Sequence, residues 1–188
     1  LFVGSLIGIC ASYLPRFFDR IVQRITELLM AFPEFLIALV VVAILGRGSS
    51  SIALGVTTAM VPAYIRMSRV LSGQIRNSEF LLASRVLGVP QYRAVFRHVL
   101  PNVLSQLLIL AIIGFGTAIT TTAGLSFLGL GLQPPAPEWG VIMNEGRNQL
   151  HQAWWITVSA GLTLTLTIMS VTVLARYLQQ RISGVKLT

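Results

Sequence analysis

The chain is short of nearly everything that soluble chemistry requires. Of its 188 residues only 11% are charged, six are acidic, one is cysteine and two are histidine. A single cysteine, Cys10, set inside an apolar run, excludes a disulfide within the chain. The only lysine, Lys186, follows "ISGV" in the tail. No Gly-rich turn leading into Lys and Ser or Thr is therefore present to cradle nucleotide phosphates, and the chain is expected to carry no ATPase site of its own. His98 and His151 stand far apart without ligand-type neighbours at metal spacing, and no nucleophile, base and orienting acid come together. No catalytic residue, metal site or cofactor is expected.

What is abundant is apolar: 54% of the residues, gathered into runs that approach the length of a bilayer crossing. With so few charges, a soluble core is excluded and a membrane is implied. The opening "LFVGSLIGICASYL" is about fourteen residues, too short to span; lacking a basic n-region and a cleavage site, it reads as the latter part of a helix in a C-terminal fragment. Crossings are expected at 25–46, where Pro33 should kink the helix and Glu34 stands near its inner end. Others are expected at 51–68, with Pro62 near the far end, and at 102–125 and 153–175. The expectation is an all-α, polytopic membrane helical bundle of about five helices, the first incomplete. Between the last two runs, the glycines and prolines of "SFLGLGLQPPAPEWG" cannot continue a helix. There Gly129 and Gly131 permit close backbone approach, Pro134 and Pro135 stiffen the turn, and Trp139 can anchor at the interface. His151 stands beside Trp154 and Trp155, which suit an interfacial aromatic belt.

The basic excess, fourteen Lys and Arg against six acids, has no basic helix with interleaved aromatics, so nucleic acid is not an expected partner. It sets orientation instead. With the opening segment at the cytoplasmic side, Arg16, Arg20, Arg24, Arg66, Arg69, Arg76, Arg85, Arg93, Arg97, Arg176, Arg181 and Lys186 all face the cytoplasm, leaving Arg47 and Arg147 outside.

That topology puts "NSEFLLASRVLGVPQYRAVFRHVLPN", residues 77–102, in the cytoplasm. It reads as two short helices. Ser78 is placed to cap the first, Glu79 favours its positive end and Gly88 stops it. Pro90 opens the second, which carries Tyr92, Val95, Phe96 and Val99 on one face and Arg93 and Arg97 on another, and is expected to end at Pro101. Such helices rest on lipid headgroups, fold back on their own domain or fit a groove in a partner.

"LASRVLG" followed by "LP" twelve residues after Gly88 resembles the EAA loop of binding-protein-dependent ABC importer permeases. Ala83, Gly88, Leu100 and Pro101 match in register, whereas Leu82 stands where glutamate is usual and Ser84 replaces the second alanine. "RITELLMAFPEFLIALVVVAILG" and "SFLGLGLQPPAPEWG" with "MNEGR" after it, in that order, are similar to the peptide and nickel group, the C-type subunit of dipeptide and oligopeptide importers. The likeness runs from about Leu1 to Ala175; the end, "ARYLQQRISG", departs from the acidic pattern common in the group.

The resemblance implies one transmembrane permease domain over 1–188, truncated at its N-terminus, with a cytoplasmic coupling loop at about 77–101. It implies a multi-pass protein of the bacterial inner membrane. The implied partners are a second permease, cytoplasmic ATP-binding subunits, a periplasmic or lipid-anchored substrate-binding protein, and the lipid bilayer. The two permeases would form the path for peptides or for nickel and metal chelates, with ATPase closure pushing a coupling helix that includes Phe80, Leu82, Ala83, Ser84, Arg85, Leu87 and Gly88. The residues do not single out a substrate site. Two other readings stand beside this one. A secondary transporter would show intramembrane charges and an inverted repeat within the chain, and a noncatalytic membrane scaffold would need no transport path.

Overall fold

A computed structural model describes residues 1–76, 78, 79, 86, 89–132 and 134–183. Helix is the only regular structure among them, as expected of an all-α membrane protein. In chain order the helices are α1 (Phe2–Tyr13), α2 (Arg16–Met30), α3 (Glu34–Leu45), α4 (Ser49–Arg76), α5 (Gln91–Ala94), a π-helical turn (Val95–Val99), α6 (Leu100–Phe127), α7 (Trp139–Arg147) and α8 (Leu150–Ser183).

Among the described residues, α6 and Leu150–Gln180 of α8 are long and apolar enough to cross a bilayer. A third crossing arises if α2 and α3 are counted as one broken span. At 1.5 Å per residue, the 28 residues of α6 reach about 42 Å, more than a hydrocarbon core of about 30 Å.

Three expectations are corrected. The run 25–46 is not one kinked helix: α2 ends at Met30, Pro33 caps α3, and Glu34 becomes the exposed first residue of α3. A proline has no N–H to give and disfavours helical backbone in the residue before it, so the helix stops and restarts. Glu34 thereby meets the positive end of α3. The second correction is length. α4 continues without a break to Arg76, well past 68, with Pro62 accommodated inside it. The third concerns Pro101. The second short helix does not end there; α5, the π turn and α6 follow one another directly, and the Leu100 N–H reaches back five residues to the Val95 carbonyl. A proline ring at position 101 crowds the carbonyl four residues earlier, and the wider π turn absorbs it.

The chain forms two compact units. The first is drawn from Leu1–Phe32 and Met60–Ala111. Its core holds Ile9, Leu71, Ala94, Val99, Val103 and Leu107. The second is drawn from Pro33–Ala59 and Ile112–Thr188. In it, a Cβ on Gly55 would come within 2.8 Å of the Ala38 carbonyl oxygen, so α3 and α4 meet at near backbone distance. α7, which the hydropathy pattern did not show, lies on α8: a Cβ on Gly146 would run into Thr157 Oγ1, and one on Gly161 would touch Met143 Sδ at 3.7 Å.

Candidate functional site

Phe80, Leu82, Ala83, Ser84, Arg85, Leu87 and Gly88, the residues expected to form the coupling helix, lie outside the described residues. The structure does describe what holds both ends of that segment, and the frame is built entirely within the first unit.

On the upstream side, α4 delivers Arg76, its last residue. The Arg76 Nη1 donates to the Ser12 carbonyl at 2.5 Å, and its guanidinium carbon lies 5.6 Å from the centre of the Tyr13 ring. Ser12 is in the last turn of α1, where carbonyls have no helical partner and the dipole favours a cation. One arginine thus ties the end of α4 to the end of α1. Ser78 Oγ donates to the Ile75 carbonyl at 2.7 Å, satisfying an acceptor at the end of α4. Its expected capping of the following helix concerns N–H groups outside the described residues.

On the downstream side, Val89 and Val95 pack on the core that contains Ile9 and Leu71. Ala94 and Val99 are buried in that core, and Val99, Val103 and Leu107 have no exposed surface. The expected single apolar face of Tyr92, Val95, Phe96 and Val99 is split. Val95 and Val99 turn inward, whereas Tyr92 and Phe96 remain 63% and 69% exposed, beside the exposed Arg93 and Arg97. Val95 and Val99 share the four-residue spacing of Val103 and Leu107 that faces the core, whereas Tyr92 and Phe96 share the neighbouring face. Val86 is also exposed.

Two features behind this frame escaped the sequence reading. Gly4 and Gly8 form a Gly-x-x-x-Gly pair that lets α1 approach α4 closely. A Cβ on Gly4 would come within 2.9 Å of the Val61 carbonyl oxygen, and one on Gly8 would collide with the Ile65 carbonyl oxygen and with Ser68 Oγ. Ser68 Oγ, fully buried, donates to the Tyr64 carbonyl at 2.6 Å. The spacing of the two glycines was the available signal. The other feature is a two-pronged ion pair: Arg69 Nε and Nη2 donate to Asp19 Oδ1 and Oδ2 at 2.5 and 2.6 Å, with both side chains about three-quarters buried. It joins α2 to α4 across 50 positions of sequence, and the separation leaves no local pattern by which to find it.

The loop after α6 behaves as its glycines suggest. Gly129 adopts φ +77°, its N–H donates to the Ser126 carbonyl at 2.9 Å, and the Leu130 N–H donates to the Leu125 carbonyl at 3.0 Å. That pair of bonds closes the helix in a left-handed cap. Gly131 sits against Ser126, where a side chain would collide. Trp139 opens α7, and Trp154 and Trp155 lie exposed with ring centroids 6.3 Å apart.

The family model described as binding-protein-dependent transport system inner membrane component matches residues 2–184. The chain belongs to that family. This permease component is 35% identical over 171 residues to the di/tripeptide transport system permease protein DppC of Pseudomonas aeruginosa, covering 91% of this chain and 56% of that protein. It is 35% identical over 170 residues to the glutathione transport system permease protein GsiD of Pectobacterium atrosepticum, covering 90% and 56%. A putative peptide transport system permease protein of Brucella suis is 37% identical over 169 residues, covering 90% and 57%. The chain therefore spans a little over half the length of these curated relatives. Family and apolar helices together describe a multi-pass inner membrane component of a transport system.

Proposed function

We propose that the whole protein is a permease of an ATP-binding-cassette importer for peptides, and that residues 1–188 act as its transmembrane permease domain. The observation that supports this most strongly is the family match over residues 2–184, together with relatives named for di/tripeptides and glutathione. Those names favour peptides over nickel or metal chelates. On this reading a second permease completes the path, cytoplasmic ATP-binding subunits drive it, and a periplasmic or lipid-anchored protein delivers substrate in the bacterial inner membrane. The segment at 77–101 faces the cytoplasm and couples the ATPase to the spans.

The clamped flanks give this coupling a mechanical basis. A push on a segment whose two ends are fixed to α1 and α4 moves those helices, whereas a push on a loose loop is dissipated. Leu82 and Leu87 would then enter an apolar ATPase cleft, at about 25 cal/mol per Å² removed from water before association costs. Tyr92 and Phe96, downstream of Gly88, are exposed apolar groups as well. Leu87→Asp and Gly88→Val, compared with Arg93→Gln, test the assignment in the full-length complex. We expect both core variants to insert in the membrane, lose the copurifying ATPase and lose ATP-dependent peptide uptake into liposomes, while Arg93→Gln keeps most of both. Normal copurification and uptake in the two core variants would return the segment to a helix resting on lipid.

A further inference from the structure

α2 carries three faces, and two of them are exposed among the described residues. Asp19, Gln23, Thr26 and Met30 turn toward α4. Phe17, Ile21, Ile25 and Leu28 form an apolar stripe at helical spacing, and all four are exposed. Arg16, Arg20 and Arg24, four residues apart, run beside that stripe and are exposed as well. Between α2 and α4 lies a groove of about 460 Å³ lined by Gln23, Glu27, Ile65, Arg66, Arg69 and Val70 among others.

The charges in this region do not balance. Asp19 is held by both prongs of Arg69. Glu27 accepts from Gln23 Nε2 at 2.8 Å and from Arg24 Nη1 at 3.3 Å. Both acids are thereby occupied, and Arg16, Arg20 and Arg66 have no acidic partner among the described residues. A helix with an aliphatic and aromatic stripe edged by three exposed arginines, of which Arg16 and Arg20 have no acidic partner among the described residues, is suited to the boundary between acyl chains and headgroups, where long cationic side chains reach back to the phosphates. A protein surface laid on the same face would have to bring its own acids to this row of arginines, whereas an anionic leaflet supplies them everywhere.

We propose that α2 lies in the headgroup layer of the bilayer and that the groove between α2 and α4 holds the phosphate of an anionic phospholipid, with Arg66, which lines the groove, as its free cation and the exposed Arg20 on the neighbouring face of α2 adding to the attraction. The Asp19–Arg69 pair then fixes the tilt of α2 so that its stripe meets the acyl chains. This inference rests on the chain being in a bilayer and is independent of what the protein transports.

The test uses the full-length complex in liposomes with a nitroxide placed at Ile21→Cys or Ile25→Cys in a Cys10→Ser background. We expect oxygen to relax both labels strongly and a water-soluble nickel chelate to relax them weakly. Labels shielded from both reagents would show that a protein covers the stripe, and labels open to the chelate would show water; either overturns the proposal. The headgroup is tested separately by mass spectrometry of lipid copurified from bilayers of mixed phosphatidylglycerol and phosphatidylethanolamine. Each basic residue near an anionic surface changes binding about fivefold, so Arg20→Gln with Arg66→Gln should weaken phosphatidylglycerol retention by about 30-fold. Arg66→Lys, which keeps the charge, should retain most of it and controls for folding. Unchanged enrichment in the double variant would overturn the phosphate site.

Discussion

α1 and α8 are both apolar helices, yet each is packed by different atoms. α1 buries Gly4, Ser5, Gly8, Ile9 and Ala11 while Phe2, Val3 and Leu6 point outward. α8 leaves Trp154, Val158, Leu162, Leu166, Met169 and Val173 exposed along most of its length, and its near-backbone contact is made where α7 presents Gly146. In water the large apolar side chains would turn inward. In lipid they gain little by doing so, because acyl chains are as apolar as leucine. Close approach of backbones then selects the packed face, and small residues mark it. α1 is therefore a structural strut, fixed to α4 at its glycines and to Arg76 at its end, whereas α8 is mainly a spanning surface.

The comparison breaks most severely at Gly8. A side chain there meets the backbone carbonyl of Ile65, which cannot rotate away, so Gly8→Leu should cost at least about 3 kcal/mol and give little folded protein. Size-exclusion chromatography and thermal unfolding of the purified full-length protein would show it. A variant with unchanged melting would mean that the α1–α4 contact contributes nothing.

Asp19→Ala comes next. It leaves Arg69 about three-quarters buried without its carboxylate, at a cost of about 1–3 kcal/mol. Arg69→Met added to Asp19→Ala should recover part of that loss, since the stranded cation is removed with it. Thermal melts of the two single variants and the double variant measure the coupling.

Gly129→Ala forces a Cβ into left-handed backbone and should cost about 1–2 kcal/mol, a decrease of a few degrees in melting temperature for a chain of this size. At the small end, Leu166→Ala on the exposed face of α8 should stay within about 0.5 kcal/mol of the parent. A large loss at Leu166 would show that this face is packed against protein in the assembled transporter, and would sharpen the contrast with α1 by giving α8 a second buried surface.

Much of the fold was legible because hydropathy is a local property. The runs 102–125 and 153–175 lie inside α6 and α8, and the Gly/Pro block between them ends α6 at its left-handed cap. The candidate site was legible only in part. Its motif could be read in "LASRVLG" and "LP", but the clamping of its flanks by Arg76, Val89 and Val99 could not. Those contacts join residues that hydropathy treats as unrelated: an arginine, a carbonyl at the end of another helix, and valines more than ten positions downstream.

The amino-acid sequence by itself determined that this protein belongs in a membrane, that the regular structure of its described residues is helical, and that a more polar, basic segment at 77–102 interrupts its apolar runs. Composition and short-range periodicity suffice for that, because a bilayer demands backbone hydrogen bonds satisfied within each segment. Tertiary structure alone decided that α2 and α3 part at Pro33, that α5 runs through a π turn into α6, that Gly4 and Gly8 are the packed face of α1, and that Asp19 finds Arg69. Each of those depends on which surfaces meet, and the distance between backbones or between two charges is set by the packing of whole helices rather than by the neighbours of any one residue.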